Sequence, residues 1–99
     1  MRQIRLTRTA ERDLEAIWSY TREVWSAAQA EAYLEALTKG FLMLLDHPAL
    51  GKARPDLRDG LRSLAVEHHL VFYEIAPSFL DILAVLHKRQ DARLYFGTL

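Results

Sequence analysis

The sequence predicts an α+β fold in which an N-terminal strand and an α-helical hairpin pack on a small antiparallel β-sheet, with a short C-terminal tail. Three observations predict it: an alternating apolar segment comes first, two segments of helical period follow almost without a linker, and three strand-like segments separated by short turns come last. The hairpin must cover one face of the sheet, because neither layer can bury its apolar side alone. With 99 residues, of which 51% are hydrophobic, we expect a single domain over 1–99.

The first two elements are a strand and a helix. Apolar residues occupy alternate positions in residues 2–7, which predicts a short, half-buried strand at a sheet edge. Residues 8–25 change to the helical period, and Thr7 or Thr9 can cap the helix. Its apolar stripe is Ala10, Leu14, Ile17, Trp18, Thr21 and Trp25.

The second helix has a clear start and end. Ser26 and Gln29 have the spacing of a capping box, and Pro48 disfavours helical geometry in the residue before it. Because Trp25 directly precedes the cap, the two helices should form an antiparallel hairpin. Gly40 lies inside this helix and indicates a close approach to the other helix. The apolar stripe is Ala30, Tyr33, Leu34, Leu37, Phe41, Leu44 and Leu45.

The second half of the chain is strand-like after a long polar connection over 47–60, which contains two of the three prolines. Alternating, β-branched and aromatic residues predict strands over 61–66, 69–76 and 80–87, and short turns make them an antiparallel meander. The last strand is almost continuously apolar, as expected of a central strand or one covered on both faces. The tail, 88–99, is first basic and then aromatic.

Composition excludes several classes of function. Thirteen basic residues balance 13 acidic ones, so the chain does not bind nucleic acid by a bulk positive field, and we expect no direct sequence-specific nucleic-acid binding. The absence of cysteine excludes disulfides and a thiolate metal site. No secretory signal or membrane-spanning stretch is present in the sequence, so we expect a cytoplasmic protein.

The motifs of cofactor and metal chemistry are also absent from the sequence. There is no glycine-rich dinucleotide motif, no P-loop and no serine in a nucleophile elbow, so we expect no cofactor. None of the four histidines has the spacing of a zinc site, and the adjacent His68 and His69 should point opposite ways along a strand. We therefore expect no metal. The acidic side chains of the helices are interpreted as a solvated surface: Glu11, Asp13, Glu15, Glu31 and Glu35.

Basic and aromatic residues of the second half are the remaining candidates for a binding or catalytic surface. Arg62 and Arg89 could converge on the sheet face away from the helices. A guanidinium is well suited to bind a carboxylate or a phosphate through two hydrogen bonds. The alternative is that the cations are dispersed and paired with nearby aspartates. Tyr73, Tyr95 and Phe96 are predicted to lie near that face. Core packing explains Tyr73 as well as a binding role does. Tyr95 and Phe96 must either fold back on the sheet or form a contact surface. The basic side chains are Lys52, Arg54, Arg58, Arg62, Lys88, Arg89 and Arg93.

The ordered set of motifs along the chain resembles the ParE-type toxins of the RelE/ParE superfamily. Each piece is short, but the pieces cover essentially the whole chain in the right order. They are RLTRTAERDLEAIW at 5–18, AYLEAL at 32–37, HPALGKAR at 47–54, DLRDGLRS at 56–63, HLVFY at 69–73 and ILAVLHKRQD at 82–91. The resemblance implies the same RelE/ParE-like fold and the toxin role of a type II toxin–antitoxin system.

The resemblance implies two alternative activities. ParE members poison DNA gyrase and have no catalytic residues of their own, whereas RelE members cleave mRNA on the ribosome. If the chain is such a ribosome-dependent endoribonuclease, its positional counterparts of the catalytic residues are Arg62, Arg89, Tyr95 and His87. The neutral charge and the incomplete nuclease set favour the gyrase branch. A third alternative is an inactive remnant that only binds its antitoxin.

The resemblance also implies a partner, a ParD-type antitoxin whose disordered segment folds over the toxin to form a hetero-oligomer. Such a segment would place an amphipathic helix in the groove of the helical hairpin, and it could also add a strand to a sheet edge, for which the short first strand is a candidate. The candidate residues for binding antitoxin or target are Trp18, Tyr33, Leu37, Arg58, Arg62, Tyr73, Arg89, Tyr95 and Phe96.

Overall fold

A computed structural model describes residues 1–96, and it confirms the predicted order of elements. The helices and strands are β1 (Gln3–Leu6), α1 (Arg8–Val24), α2 (Ala27–Asp46), a 3₁₀ turn (Pro48–Leu50), β2 (Lys52–Ala53), β3 (Arg62–Val66), β4 (His69–Ile75), β5 (Phe79–His87) and α3 (Arg93–Phe96). The sheet order is β1-β5-β4-β3-β2. β1 runs parallel to β5, whereas β5 and β4, β4 and β3, and β3 and β2 are paired antiparallel. The predicted edge strand, hairpin and meander are therefore all present.

The two long helices start at the predicted capping residues. The Thr7 hydroxyl accepts a hydrogen bond from the backbone N–H of Ala10 at 3.1 Å, and the Ser26 hydroxyl accepts one from Gln29 at 3.0 Å. The backbone N–H of Ser26 donates to the carbonyl of Thr21 at 3.2 Å, at the end of the preceding helix. This reversal of the chain within two residues folds α2 back against α1.

Apolar side chains form a cluster on each face of the sheet. The larger cluster lies between the helices and the sheet and contains Ala10, Ile17, Leu37, Phe41, Leu44, Val71, Tyr73, Leu80, Ile82 and Val85. The smaller cluster lies on the other face and contains Leu57, Leu61, Phe72, Ala84 and Leu86. β5 contributes to both, which explains its almost continuous apolar sequence. The face away from the helices is called the open face below.

A β-bulge in β5 connects the sheet to the start of α1. Phe72 pairs with Ala84 and Tyr73 pairs with Ile82, so Leu83 is the extra residue. The Thr7 hydroxyl donates to the carbonyl of Leu83 at 2.8 Å. One cap residue therefore joins β1, α1 and the bulge.

Asp13 satisfies a backbone group that the bulge and the short β1 leave without a strand partner. Pairing with β1 ends at Ile82, and the N–H of Val85 donates to the Asp13 carboxylate at 2.9 Å. The prediction that Asp13 is a solvated surface charge is therefore wrong. Helical periodicity alone could not show that a strand amide faces this side chain.

Three further predictions about packing need correction. A Cβ at Gly40 would come 2.9 Å from the Cγ2 of Val66, so the close approach joins α2 to the sheet rather than to α1. Trp25 is 72% exposed, although the periodicity placed it in the buried stripe. The connection 47–60 is partly ordered secondary structure, since the 3₁₀ turn and the edge strand β2 lie within it.

Candidate interaction surfaces

The outer side of the helical hairpin carries a partly apolar groove, which we call the hairpin groove. It is a shallow cleft of about 660 Å³ lined by Trp18, Glu31, Leu34, Glu35, Thr38 and Lys39. On α2, Glu31, Leu34, Glu35 and Thr38 are three or four residues apart, so they share one face. The half-buried Trp18 and Leu34 form its apolar part, and exposed charges border it.

The other predicted helix residues lie elsewhere. Leu37 is only 1% exposed and packs in the larger cluster with Phe41 and Leu44. Tyr33 lines a second cleft at the end of the hairpin, beside Trp25. Of the three predicted docking residues on the helices, Trp18 therefore lies in the hairpin groove, whereas Leu37 has almost no surface for a partner.

The open face carries Arg58 and the aromatic end of the tail. Arg58 donates to the Glu74 carboxylate at 2.7 Å, and its guanidinium lies 5.7 Å from the centre of the Phe96 ring. Phe96 packs on Phe72 with ring centres 4.9 Å apart. Phe96 therefore folds back to cover the smaller cluster, while Tyr95 remains 50% exposed.

Tyr73 and Arg62 lie on the opposite side of the sheet from this face. Tyr73 is fully buried; its hydroxyl donates to the Pro48 carbonyl at 2.6 Å and accepts from the N–H of Gly51 at 2.9 Å. Arg62 is its cross-strand neighbour and donates to the carbonyls of Gly51 and Ala49, both at 3.0 Å. Both side chains hold the segment after α2, so the expectation that they lie at or near the face away from the helices is wrong.

Arg89 lies at the other end of the sheet from Arg62. Arg62 begins β3, whereas Arg89 follows His87 at the end of β5, and His87 pairs with His69 near the end of β3. The two arginines therefore do not converge. Convergence was predicted from the residue types alone. The sequence does not show which face of the sheet each side chain occupies or in which direction β3 runs.

A third cleft, of about 350 Å³, lies on the open face beside the tail. Its lining residues are Arg54, Asp56, Leu57, Leu70, Lys88, Gln90, Asp91, Ala92 and Arg93. Two of its cations have local partners: Arg54 contacts Asp56 at 3.2 Å, and Arg93 contacts Asp91 at 3.1 Å. Each arginine lowers the pKa of its aspartate through hydrogen bonds and charge. The predicted alternative, that cations are paired with nearby aspartates, describes these two pairs.

Sequence reasoning missed two features of these surfaces. Trp25 lies exposed at the turn of the hairpin, because a helix that ends at Val24 no longer controls the direction of the next side chain. His68, His69 and His87 line one cleft, so the expectation that the two adjacent histidines point apart is wrong. Within residues 1–96, no cluster of three or more His, Cys, Asp or Glu residues could hold a metal ion, and no helix is long and apolar enough to cross a membrane.

Comparison with known proteins identifies relatives along the whole described fold. The family model described as "ParE toxin of type II toxin-antitoxin system, parDE" matches residues 4–92. The chain is 36% identical over 97 residues to Toxin ParE1 of Caulobacter vibrioides, covering 98% of this chain and 100% of the relative. It is 38% identical over 87 residues to Toxin ParE of Escherichia coli, covering 87% and 84%.

A solved structure shares the fold. The structure named "Chromosomal ParDE TA system from P. aeruginosa" has a TM-score of 0.76, at 21% identity, and the match covers 88% of this chain and 96% of that one. The family match and the two curated relatives show more than shared architecture, because their sequence similarity extends from β1 to the tail. This chain belongs to the ParE toxins of type II toxin–antitoxin systems, within the RelE/ParE family.

Proposed function

We propose that this ParE-family chain acts by binding DNA gyrase rather than by cleaving RNA. The observation that carries the proposal is the position of Arg62. Its guanidinium donates hydrogen bonds to two backbone carbonyls on the helix side of the sheet. Tyr95 lies beside the open face instead, and Arg89 lies at the other end of the sheet. A nuclease needs cations and proton-transfer groups within reach of one phosphate. Arg62 lies at the opposite end of the sheet from Arg89, His87 and Tyr95, so the four candidates do not surround one phosphate.

The target-binding surface of the proposal is the open face with its tail. Tyr95 offers half of its side chain to solvent, and Arg58 and Arg89 are exposed on the same half of the chain. Aromatic and arginine side chains are the types that most often dominate the energy of a protein interface. The Phe96 ring, packed on Phe72, supports the backbone that carries Tyr95.

Purified chain tests the target directly in a gyrase supercoiling assay run beside a ribosome-dependent mRNA cleavage assay. We expect supercoiling to be inhibited and the message to remain intact. Tyr95→Ala should weaken inhibition, whereas Tyr20→Ala, which removes an exposed tyrosine from α1, should not. Unimpaired supercoiling at high micromolar concentration of folded chain contradicts the proposal.

A ribosome-dependent endoribonuclease is the second candidate. The specific observation in its favour is the open-face cleft, where Arg54, Lys88 and Arg93 surround a space large enough for part of a nucleotide chain. It predicts codon-positioned cuts in a translation extract that disappear in Arg93→Ala or Arg89→Ala. If expression without an antitoxin leaves growth unchanged, and both assays are negative, the chain is an antitoxin-binding remnant.

The hairpin groove is proposed as the docking surface for a ParD-type antitoxin. An amphipathic helix or folding segment could pack its apolar side on Trp18 and Leu34, and its polar side would meet Glu31, Glu35 and Lys39. The mixed charge at the rim favours a partner that carries both signs along this stretch.

Titration calorimetry with a ParD-type antitoxin that neutralises this chain measures that contact. Trp18→Ala should raise the dissociation constant by about 30-fold or more, the equivalent of about 2 kcal/mol for a central aromatic contact. Trp25→Ala is the matched control, because Trp25 is exposed outside the groove. Equal weakening by both substitutions would place the antitoxin elsewhere.

A further inference from the structure

A cleft at the turn of the hairpin brings three imidazoles together. Its volume is about 450 Å³, and its walls come from the end of α1, from α2, from the turn between β3 and β4, and from the end of β5. The ring centres of His69 and His87 are 5.2 Å apart. Those of His68 and His87 are 6.4 Å apart, with planes only 15° from parallel. We call His68, His69 and His87 the histidine cluster.

Tyr33 joins this cluster to α2. Its hydroxyl oxygen accepts a hydrogen bond from the backbone N–H of His68 at 3.0 Å. The hydroxyl proton is then free to be donated to Nδ1 of His69, which lies 2.5 Å away. In this arrangement Nδ1 of His69 is an acceptor and carries no proton.

His87 uses its Nδ1 in the same way. The backbone N–H of Arg89 donates to it at 3.1 Å, and because a backbone amide can only donate, this nitrogen must be unprotonated. The backbone N–H of His87 donates to Oε1 of Gln90 at 2.8 Å. Nε2 of Gln90 donates in turn to the hydroxyl of Tyr95 at 2.8 Å. A chain of hydrogen bonds therefore runs from the histidine cluster to the exposed tyrosine of the tail.

We propose that the histidine cluster is a proton-operated latch that holds the tail, and that protonation at Nδ1 of His69 and His87 releases it. A proton on His87 removes the acceptor of the Arg89 amide. A proton on Nδ1 of His69 turns this acceptor into a donor, so the Tyr33 hydroxyl can no longer donate to it and has to accept from both His69 and the His68 amide, which then compete for one oxygen. Each imidazolium also repels the next, because the rings are neighbours.

With one exception, the charged side chains around the histidine cluster oppose protonation of its imidazoles. Glu67 is the acidic residue among those that line the cleft, and it would stabilise an imidazolium. Lys88 and Arg89 follow His87 on the exposed turn, and their positive charges oppose the formation of an imidazolium. The α1 residues in the wall, Thr21 and Trp25, carry no charge. In addition, burial and the neighbouring imidazoles lower the pKa of His69 to about 4. The His69 part of the latch is therefore closed near neutral pH, and the proposal does not depend on which target the chain binds.

Nitrogen-15 NMR of the full chain tests the closed state without any substitution. At about pH 8, His69 and His87 should both be neutral tautomers with the proton on Nε2. Finding the proton on Nδ1 of His87 would overturn the proposal, because the Arg89 amide would then have no acceptor there.

Amide exchange in the same sample tests the release. Between about pH 8 and pH 4, the protection factors of the His68 and Arg89 amides should fall by about tenfold or more, relative to amides in the middle of α1. The Tyr95 signals should shift over the same pH range. Unchanged relative protection over the whole range contradicts the latch.

Paired substitutions separate the latch from general acid sensitivity. His87→Gln keeps a side chain that can hydrogen-bond but cannot titrate, so the acid-induced loss of protection at Arg89 should disappear. His47→Gln is the matched control, since His47 lies at the end of α2 outside the cleft, and it should behave as the unsubstituted chain. An unchanged acid response in His87→Gln would overturn the proposal, and should that variant fail to fold, the tautomer measurement still decides.

Discussion

At the scale of single residues, Tyr73 shows why a tyrosine that looked like a contact residue is a structural one. Its ring is in the larger cluster, and its hydroxyl bonds both the Pro48 carbonyl and the Gly51 amide. A Cβ at Gly51 would come 2.5 Å from that hydroxyl, so glycine is required for this close approach. One side chain therefore fixes the segment that follows α2.

Removing the hydroxyl should destabilise the fold without touching either proposed binding surface. Tyr73→Phe leaves a buried amide and a carbonyl without their partner, and we expect a loss of about 1–3 kcal/mol in the free energy of unfolding. Urea denaturation measures it, with Tyr20→Phe on the exposed side of α1 as the control. A loss equal to that of the control would show that water replaces the hydroxyl.

Asp13 is a second residue whose role depends on one contact across the fold. Asp13→Ala removes the acceptor of the Val85 amide, so unfolding should become easier by about 1–3 kcal/mol. Glu15→Ala, on the solvent side of the same helix, should change stability by less than about 0.5 kcal/mol. The comparison is made by thermal and urea unfolding, and equal effects would contradict the assigned contact.

At the scale of elements, the turn between β3 and β4 is strained. Val66 pairs with His69, so Glu67 and His68 form a two-residue turn, and Glu67 has a φ of 52°. Glycine is favoured at positive φ in such turns, because a Cβ raises the energy of the backbone there. The strain lies directly beside the histidine cluster.

Replacing the strained Glu67 by glycine should stabilise the β-hairpin formed by β3 and β4. We expect Glu67→Gly to raise the free energy of unfolding by about 0.5–1 kcal/mol, since relief of the strain exceeds the added entropy of the unfolded chain. Ala65→Gly, two residues earlier in β3, should have the opposite sign. A lower melting temperature for Glu67→Gly would mean that the Glu67 side chain contributes more than its backbone costs.

At the scale of the whole molecule, the half-buried His69 couples stability to pH. Its pKa in the folded chain is about 4, below its ordinary value of 6.5. The unfolded chain therefore binds the proton first, and the free energy of unfolding should fall as pH decreases from about 6.5 to about 4. Solvent around the partly exposed ring limits the loss to about 1–2 kcal/mol.

Urea midpoints measured across that range check the coupling. Burial raises the pKa of Asp13, which contributes with the opposite sign, so the difference between the unsubstituted chain and His69→Gln isolates the histidine. The variant should lose less stability on acidification. Parallel curves for the two proteins would assign the pH dependence to other groups.

The sequence by itself determined the order and type of the elements, because hydrophobic periodicity, the caps Thr7 and Ser26, and the break at Pro48 are local signals. The predicted bounds of β1, α1, α2, β3, β4 and β5 agree with the structure to within one residue. β2, the 3₁₀ turn and α3 were not predicted. The same reasoning recognised the family, since its motifs are spread along the chain in order.

Only the tertiary structure decided which side chains meet. Arg62 and Tyr73 lie on the helix side, Asp13 reaches the N–H of Val85, and three histidines share a cleft, because the bulge at Leu83 and the pairing of β3 with β4 set the faces. These contacts join residues far apart in the sequence, and one shift in strand register would reverse every face. Local patterns carry no information on such a register, so the chemistry of the surfaces could not be derived from them.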